Sequence, residues 1–439
     1  MKRWKMKILL GCCVLLLGVS LGTIGCEEEK DGKSGEGEGE GEGEGEGEGE
    51  GEGEGEGEGE PENHDPVLSK VEGAAEAVPA GTALTLEAEA TDEDGDPLTW
   101  SWVAGCGALS VTDGPETVWT APETRETCQL TVQVSDGKGS ASQTLEIRVL
   151  AWAIDEQAST LAGNLGGISF APTGEGWAVG GNEQDNTPYI ISYRNGVWAD
   201  ETPADDAHLH TVTALSATNV WASGGGGQTY WWDGHRWHPF VITGGCLHEM
   251  YFVNESLAWA GPAHGGQPSG MRRWSGGDKR NGWEDFPLPG HNGVVDIDFS
   301  KPSNGWAVGP TAQVYHNDGS ERWKAVDMSA FRNEDFGVVS FVAPDRGWVA
   351  GSVLLGYDGQ QWTREETDPP NACLFYTAIH MIDRDEGWIG CGGGLLLHYR
   401  EGIWHGFPSP TDQTITAITF TSPDRGWAVT EGGQVLGYE

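Results

Sequence analysis

The sequence is poor in positive charge. Its 439 residues contain 25 Lys and Arg against 68 Asp and Glu, which gives a formal net charge of −43 at pH 7. No segment after residue 26 is basic on balance, whereas a protein that neutralises phosphates needs clustered Lys and Arg. Nucleic acid is therefore excluded as an expected partner, while a cationic ligand, a metal ion or a neutral glycan stays open.

Catalytic sequence motifs are also missing. The chain contains no Gly-x-Ser-x-Gly, no His-Glu-x-x-His and no phosphate-binding loop. The glycine runs at residues 224–227 and 392–394 follow predicted strands, so they indicate loops or strand bends. These absences favour a binding protein over an enzyme, with no cofactor expected.

The apolar run at residues 8–21 is too short to cross a bilayer comfortably. It follows four Lys and Arg residues within the first seven positions, the pattern of an export signal. The segment ends in Thr-Ile-Gly-Cys at residues 23–26, which resembles the lipobox of bacterial lipoproteins. This resemblance implies a signal peptide over residues 1–25 and a lipid on Cys26 that anchors the protein in a membrane.

Two features follow directly after Cys26. Glu27 replaces the Asp of the inner-membrane retention signal, so we expect the outer membrane or the cell surface. The alternative is an ordinary signal peptide cleaved nearby, with Cys26 unmodified. Residues 26–62 are an acidic linker dominated by thirteen Gly-Glu pairs, which cannot bury apolar surface and are predicted to be a disordered tether.

Residues 63–150 alternate between apolar and polar side chains in several short runs separated by turn residues, typical of an antiparallel sandwich. The alternating runs are residues 82–90, 98–103, 128–134 and 144–149. The motifs at residues 91–102, 118–122 and 134–137 resemble bacterial immunoglobulin-like domains related to PKD and cadherin-like modules. The aromatic-Gly-Asp-Gly hallmark of PKD domains is absent, which favours the broader immunoglobulin-like class.

Two sites are predicted in this sandwich. Asp92, Asp94 and Asp96 occupy alternate positions of one loop and could hold calcium, or they simply form the turn between two strands. In an immunoglobulin-like sheet the end of the strand before Cys106 meets the start of the strand containing Cys128. That geometry predicts a Cys106–Cys128 disulfide.

From residue 151 to 439 a Gly-Trp-Ala-Val-Gly phrase recurs with a period near 40, the length of one four-stranded sheet. The seven tryptophans, 38 to 47 residues apart, are Trp177, Trp221, Trp259, Trp306, Trp348, Trp388 and Trp427. Asn-Gly and Asp-Gly turns predict hairpins, so each repeat is a propeller blade. A second tryptophan opens the fourth strand of six repeats, and we expect these rings to pack blade against blade.

The seventh repeat lacks its own fourth strand, and residues 151–158 supply a matching one around Trp152. The predicted fold is therefore all-β, with an antiparallel immunoglobulin-like sandwich followed by a seven-bladed β-propeller. The phrases resemble YCF48-like photosystem II assembly factors and BNR-type propellers. Sialidases share this architecture, but residues 316–323 only approximate their Asp-box. The candidate arginines (Arg272, Arg273, Arg346 and Arg425) do not suggest a carboxylate-binding triad.

Three irregularities interrupt the repeats. Cys373 and Cys391 flank two strands that should pair, which predicts a second disulfide and leaves Cys246 as a free thiol. His208 and His210 could chelate a metal, although their position between blades indicates a solvated turn. The third repeat is long between residues 265 and 281. These are the places where we expect a site.

The sequence predicts a membrane-anchored, exported lipoprotein whose non-catalytic propeller binds a protein or a glycan. Two alternatives stay open. One is a carbohydrate-active, sialidase-like enzyme that uses acids around the central channel, and the other is an assembly factor for membrane complexes.

Overall fold

The computed structural model describes residues 62–182, 186–242, 245–262, 270–290, 293–320 and 322–439. Within these ranges 37 strands form nine sheets. The helical segments there are four short 3-10 turns: Ala158–Thr160, Gly225–Gly227, Ser329–Phe331 and Gly392–Gly394. No helix of the described part is long and apolar enough to span a membrane. The predicted signal peptide, Cys26 and the Gly-Glu tether lie outside the described residues.

Two four-stranded sheets form the sandwich. One sheet has the order β1 (Val67–Glu72), β3 (Ala83–Thr91), β6 (Glu116–Thr120) and β5 (Ala108–Leu109). The other has the order β2 (Ala77–Pro79), β8 (Ser140–Leu150), β7 (Glu126–Ser135) and β4 (Thr99–Ala104). Strands β3, β4, β7 and β8 coincide with the four predicted alternating runs. Their inward side chains pack around Trp102 and Trp119, both of which are almost completely buried.

The next seven sheets are the blades of the propeller, numbered here in chain order. Blade 1 contains β10 (Leu165–Phe170), β11 (Gly176–Asn182), β12 (Thr187–Arg194) and β13 (Val197–Asp200). Blade 2 contains β14 (Leu209–Ser216), β15 (Asn219–Gly224), β16 (Gln228–Trp232) and β17 (Trp237–Val241). Blade 3 contains β18 (Leu247–Asn254), β19 (Leu257–Pro262), β20 (Gly270–Trp274) and β21 (Trp283–Pro287).

The remaining blades repeat this order. Blade 4 contains β22 (Asp296–Lys301), β23 (Asn304–Gly309), β24 (Gln313–Asn317) and β25 (Trp323–Ala325). Blade 5 contains β26 (Phe336–Ala343), β27 (Arg346–Gly351), β28 (Leu354–Tyr357) and β29 (Trp362–Arg364). Blade 6 contains β31 (Tyr376–Met381), β32 (Gly387–Cys391), β33 (Leu396–Arg400), β34 (Ile403–Phe407) and an additional edge strand, β30 (Thr367–Asp368). Blade 7 contains β35 (Ile415–Ser422), β36 (Arg425–Thr430), β37 (Val435–Tyr438) and β9 (Trp152–Ile154).

Blade 7 joins the two ends of the propeller sequence. Strand β9 pairs antiparallel with β37, and Trp152 lies opposite Tyr438. The sequence predicts this closure, because the seventh repeat lacks a fourth strand of its own. The pairing leaves no open edge at the junction. Trp152 also belongs to a hydrophobic cluster that continues into the sandwich. Arg125 of the sandwich forms an ion pair with Glu439, with 2.7 Å between Nη1 and Oε1.

The glycine of each Gly-Trp phrase permits a close approach between neighbouring strands. A Cβ at Gly176, Gly305, Gly347 or Gly426 would lie 2.3 to 2.6 Å from the phenylalanine ring of the first strand in the same blade. With only hydrogen there, that ring can lie flat across the glycine, and in blades 1, 5 and 7 it stacks on the tryptophan of the preceding blade. Phe170 thus stacks on Trp427 with ring centroids 3.9 Å apart, and Phe341 on Trp306 at 4.4 Å.

The two tryptophan series meet across the same blade junctions. The second-strand Trp306 of blade 4 lies 5.6 Å from the fourth-strand Trp362 of blade 5, and Trp259 lies 5.5 Å from Trp323. At the closing junction Trp388 lies 5.6 Å from Trp152. The prediction that tryptophans pack blade against blade is confirmed, so these residues are scaffold and not a ligand platform.

Gly347→Ala tests this packing. The added methyl group would overlap the Phe341 ring, so we expect a loss of about 1–3 kcal/mol of unfolding free energy. Gly337→Ala in the same blade is the matched control, because a Cβ there meets nothing within 4 Å. We expect Gly337→Ala to change the unfolding free energy by less than about 1 kcal/mol. Equal midpoints for the two variants in urea unfolding would contradict this account of the repeat.

Candidate functional site in the propeller channel

The first strands of the seven blades surround the central channel, and six of them carry a β-bulge at the same point. The bulges lie between Leu165 and Gly167, Leu209 and Thr211, Leu247 and Glu249, Phe336 and Val338, Tyr376 and Ala378, and Ile415 and Ala417. A bulge inserts one residue and redirects the side chains beside it. The inserted residues are therefore presented to the channel together with the residues that follow them.

A cavity of about 460 Å³ occupies the channel at this level. The wall formed by blades 2 to 4 carries His210, Thr211, His248, Glu249 and Asp296. The wall formed by blades 5, 6, 7 and 1 consists mainly of glycine, alanine, threonine and aliphatic residues. The cavity is therefore asymmetric, since its described titratable groups lie on one side.

The histidines of this wall are in contact with each other. The rings of His210 and His248 are nearly parallel, with centroids 4.7 Å apart, and the His208 ring lies 4.4 Å from that of His210. The Nε2 atom of His210 is buried without a hydrogen-bond partner. Burial, followed by the neighbouring His248 and His208, lowers the pKa of His210 to about 3. This imidazole is therefore neutral at physiological pH.

The carboxylates of the wall are tied to neighbouring strands. Glu249 accepts a hydrogen bond from the Thr211 hydroxyl of blade 2 at 2.9 Å. Asp296 accepts the backbone N–H groups of Ile297 at 2.8 Å and of Val339, in blade 5, at 2.6 Å. These bonds hold the carboxyl groups in place and connect blade 2 to blade 3 and blade 4 to blade 5.

Similar bonds cross every blade junction, from a side chain on one first strand to the backbone of the next. Among them, Ser169 Oγ accepts the Ala214 N–H at 3.0 Å, Asp298 Oδ2 accepts the Phe341 N–H at 2.5 Å, and Thr416 Oγ1 donates to the Leu165 carbonyl at 2.8 Å. Three more are donated by side-chain hydroxyl groups to backbone carbonyls, from Thr213 to Met250, from Tyr251 to Phe299 and from Thr377 to Ile415. In the seventh, the backbone N–H of Met381 donates to the Ser340 hydroxyl. These seven are called the interblade hydrogen bonds below.

Burial changes the acidity of the three carboxyl groups. It raises the pKa of Glu249 to about 8, with a further contribution from the charge of Asp298. Burial and then the charge of Glu249 raise the pKa of Asp296 well above its ordinary value. Burial raises the pKa of Asp298 to about 6. At neutral pH Glu249 is thus largely protonated, and its carboxyl group can donate as well as accept hydrogen bonds.

The structure corrects the interpretation of His208 and His210. A solvated turn between blades was expected, but His210 belongs to strand β14 and lines the channel. The bulge redirects it inward, and periodicity alone does not show a bulge. Sequence reasoning missed His248, Glu249, Asp296 and Asp298 as site residues. An alignment of the seven first strands would have identified Glu249 and Asp296, because the other repeats carry small or aliphatic residues at that position.

The three loop aspartates of the sandwich serve different partners. Asp92 accepts the backbone N–H groups of Asp94 and Asp96 at 3.0 Å, as in a turn. Asp94 accepts the His64 N–H at 2.7 Å, and Asp96 pairs with Lys138 at 2.9 Å. In the described part of the chain, one group of three potential ligands has its ligand atoms within 4.8 Å of one another, and it consists of Cys106, Glu126 and Cys128. The calcium prediction gains no support from this arrangement.

The cysteines are paired. Cys106 is bonded to Cys128 with a Cα–Cα distance of 5.3 Å, and Cys373 to Cys391 with 5.9 Å, in the pairs that the strand order predicts. Cys246 is disulfide-bonded as well, so the prediction of a free thiol is wrong. Strand order pairs cysteines only on neighbouring strands, so it offered no partner for Cys246.

The arginines considered for a sialidase triad have structural roles in separate blades. Arg346 stacks over Trp348 and donates to the Tyr399 hydroxyl of the next blade at 2.6 Å. Arg425 does the same with Trp427 and Tyr193 at 2.9 Å. Arg272 pairs with Asp285 across blade 3, and Arg273 lies over Trp259. They do not converge on a common ligand position. Of the other irregularities, residues 263–269 of the third repeat lie outside the described ranges.

Comparisons with known proteins agree with both parts of the fold. Residues 70–149 match the family model described as PKD domain. The sandwich is thus similar to PKD domains over most of its length. The missing aromatic-Gly-Asp-Gly hallmark does not exclude this class. Residues 277–369, from blade 3 to blade 6, match the model described as photosynthesis system II assembly factor YCF48.

Two solved structures resemble the propeller. A structure of YCF48 bound to D1 peptide aligns with a TM-score of 0.52 at 18% identity, covering 66% of this chain and 96% of that one. YCF48 from Cyanidioschyzon merolae aligns with a TM-score of 0.50 at 15% identity, covering 66% and 98%. The propeller is YCF48-like in its fold.

One curated relative is an enzyme. Chitinase A of Pseudoalteromonas piscicida is 40% identical over 75 residues, which are 16% of this chain. The chain spans only 9% of the length of that chitinase. This short match says nothing about the activity of the propeller.

Glu249→Gln tests the electrostatics of the channel wall. The unfolded chain loses the Glu249 proton near pH 4.5, but the folded protein keeps it up to about pH 8. The unfolding free energy of wild type therefore falls as pH rises from about 4.5 to about 8. Glutamine does not titrate, so the variant should not show this loss. We expect the variant to melt at least about 2 °C above wild type at pH 9 and close to wild type at pH 5.

Glu255→Gln is the matched control, because Glu255 is exposed in the turn between β18 and β19 of the same blade. It should leave the difference in melting temperature between pH 5 and pH 9 unchanged. Equal behaviour of the two variants would show that burial does not govern the acidity of Glu249.

Proposed function

We propose that this chain is an exported, membrane-anchored lipoprotein whose propeller binds a partner protein at the channel cavity without catalysing a reaction. The supporting observation is that the carboxylates of the cavity wall serve the scaffold. Glu249 holds the Thr211 hydroxyl, and Asp296 holds the Val339 amide of the next blade. A general acid or base must be available to substrate, whereas these groups already act between blades.

The chemistry of the cavity favours a protein partner over a glycan. The cavity of about 460 Å³ falls in the range of ligand pockets, about 300–1,000 Å³, and can receive a side chain or a chain end. Its described lining includes no Trp, Tyr or Phe ring on which a sugar face could stack. One solved YCF48 structure of the same fold is bound to a D1 peptide. A binding or assembly role agrees with this likeness.

An enzyme is the second candidate, because two electrostatically coupled carboxyl groups with raised pKa values, Glu249 and Asp296, line one cavity. Such a pair resembles the acid and base of a glycoside hydrolase in character. Glycosidase turnover that disappears in Glu249→Gln would support this candidate and overturn the binding proposal.

Filling the cavity tests the binding proposal. Gly337 occupies the bulge position of blade 5, and a Cβ there meets nothing within 4 Å. Gly337→Phe should therefore obstruct the cavity while the propeller still folds. After cross-linking in membranes of the source cell, we expect a partner that wild type retains to be lost, at least about tenfold, in this variant.

Gly437→Phe is the matched control, because Gly437 also faces open space but lies in β37, away from the channel. It should retain the partner at wild-type levels. Equal retention by both variants, or no retained partner with wild type, would contradict binding at the cavity.

The membrane anchor has a separate test. Lipidation of the Cys26 thiol should label the mature protein with palmitate, and Cys26→Ala should release the protein into the non-membrane fraction. The double variant Cys373→Ala, Cys391→Ala is the matched control, because it removes one disulfide of the propeller without leaving a free thiol and should leave the label unchanged. Palmitate that persists in Cys26→Ala would refute the anchor.

A further inference from the structure

Three exposed apolar side chains occur at the channel end of blade 6, which is the end where its first strand begins. Leu374 and Phe375 directly precede β31, and Leu395 lies in the connection between β32 and β33. Leu374 is 84% exposed, more than any other large apolar side chain of the described residues, while Phe375 and Leu395 are 37% and 42% exposed. These three residues are called the apolar patch below.

Backbone contacts hold the patch in place. Cys373 and Cys391, at its border, form a disulfide. The Gly392 N–H donates to the Phe375 carbonyl at 3.0 Å, and the Cys391 N–H donates to the Leu395 carbonyl at 3.0 Å. Because consecutive residues bond these two carbonyls, the backbones of Phe375 and Leu395 lie next to each other. The patch is therefore part of the folded blade, and a partner can bind it without ordering a loop.

The patch adjoins the channel cavity. The cavity lining includes Thr377, Ala378 and Ile379, which begin two residues after Phe375. A chain segment that enters the cavity can therefore cover the patch as well. An exposed apolar group beside a cavity is typical of an interaction surface.

Acidic side chains border the patch on the side of blade 7. A β-carbon at Gly394 would lie 2.8 Å from the Asp412 Cα, and the Glu431 N–H donates to the Thr414 carbonyl at 3.0 Å. Both acidic side chains are exposed. No Lys or Arg occurs in the four segments that form this end of the two blades, residues 369–375, 392–395, 408–414 and 431–434. The surroundings of the patch are therefore acidic.

Charge differs between the two ends of the propeller. Glu156, Asp205 and Asp206 are further exposed acids at the channel end, and Arg332 is the exposed base of the connections that the structure describes there. Exposed arginines occur in or beside the turns of the opposite end, in five blades: Arg236, Arg280, Arg322, Arg384 and Arg425. The channel end therefore attracts a cationic segment and repels an anionic lipid surface.

We propose that the apolar patch and the channel mouth bind a protein segment in which an apolar side chain is flanked by Lys or Arg. The apolar side chain covers Leu374, and the basic side chains pair with Asp412 and Glu431. The patch contributes affinity, whereas the acids contribute selectivity and speed of association. This inference rests on the proposed function, because it names the chemistry of the partner at the cavity.

Selection from a library of random peptides against the full-length protein tests the proposal. We expect the selected peptides to share an apolar residue flanked by Lys or Arg. A synthetic peptide with this consensus should bind the double variant Leu374→Ser, Leu395→Ser at least about tenfold more weakly than wild type. Ile403→Ser is the matched control and should leave the affinity unchanged, because Ile403 is 37% exposed at the opposite end of blade 6.

The acidic border has its own variant. Asp412→Asn combined with Glu431→Gln should weaken peptide binding at least about threefold at low salt and reduce its dependence on salt. Glu255→Gln combined with Asp358→Asn is the matched control, because both residues are exposed in turns at the opposite end of the propeller. It should change neither quantity.

Melting temperatures show whether each variant folds, and Leu374→Ser alone replaces the double variant if that variant unfolds. No selected peptide, selected peptides without basic residues, or equal affinity of wild type and the folded patch variant would overturn the proposal. Binding to phosphatidylcholine vesicles or self-association that disappears in the patch variant would assign the patch to lipid or to a second copy, and would also overturn it.

The proposed function fails by a different result. If Gly337→Phe retains the cross-linked partner, binding at the cavity is wrong. If Gly337→Phe loses the partner but the library yields no basic and apolar consensus, binding at the cavity stands and the chemistry inferred for the partner is wrong.

Discussion

The structure depends on one close approach that recurs in the blades. A first-strand phenylalanine lies flat against the glycine of the Gly-Trp phrase, as Phe341 does at Gly347. From there it stacks on the tryptophan of the preceding blade, Trp306 in this case. Because a β-carbon would occupy the position of the ring, glycine is required in the blades where the ring lies flat against this strand. Repetition of the phrase is therefore repetition of a blade junction.

Closure and the interblade hydrogen bonds complete the scaffold. Strand β9 gives blade 7 its outer strand, so the ring does not end in an exposed edge. At the channel, each first strand is tied to the next by a side chain that bonds to backbone. Serine or threonine makes most of these bonds, but blades 3 and 4 use Tyr251 and Asp298. Glu249 and Asp296 add further bonds beside them. The acidic wall is thus a local variation of a scaffold feature.

The same bulges that shape the first strands also create the site. They occur whether the inserted residue is glycine, threonine or histidine, so the backbone provides the position and the sequence decides what is presented there. In blades 2 and 3 it presents His210 and His248. The histidines and carboxyl groups therefore concentrate on one side of a channel whose opposite side consists of small residues.

Local patterns were sufficient for the all-β class, the sandwich, the seven blades and their closure, because alternation, turn residues and the Gly-Trp period are each set within about 40 residues. The pairing of Cys373 with Cys391 also follows from neighbouring strands of one blade. The channel site could not be predicted in this way. His210, His248, Glu249 and Asp296 come from three blades, and in blades 2 and 3 a bulge decides which side chains face the channel. Only the closed ring brings these residues together, and burial in that ring, with a smaller contribution from neighbouring charged groups, shifts the pKa values of Glu249 and His210.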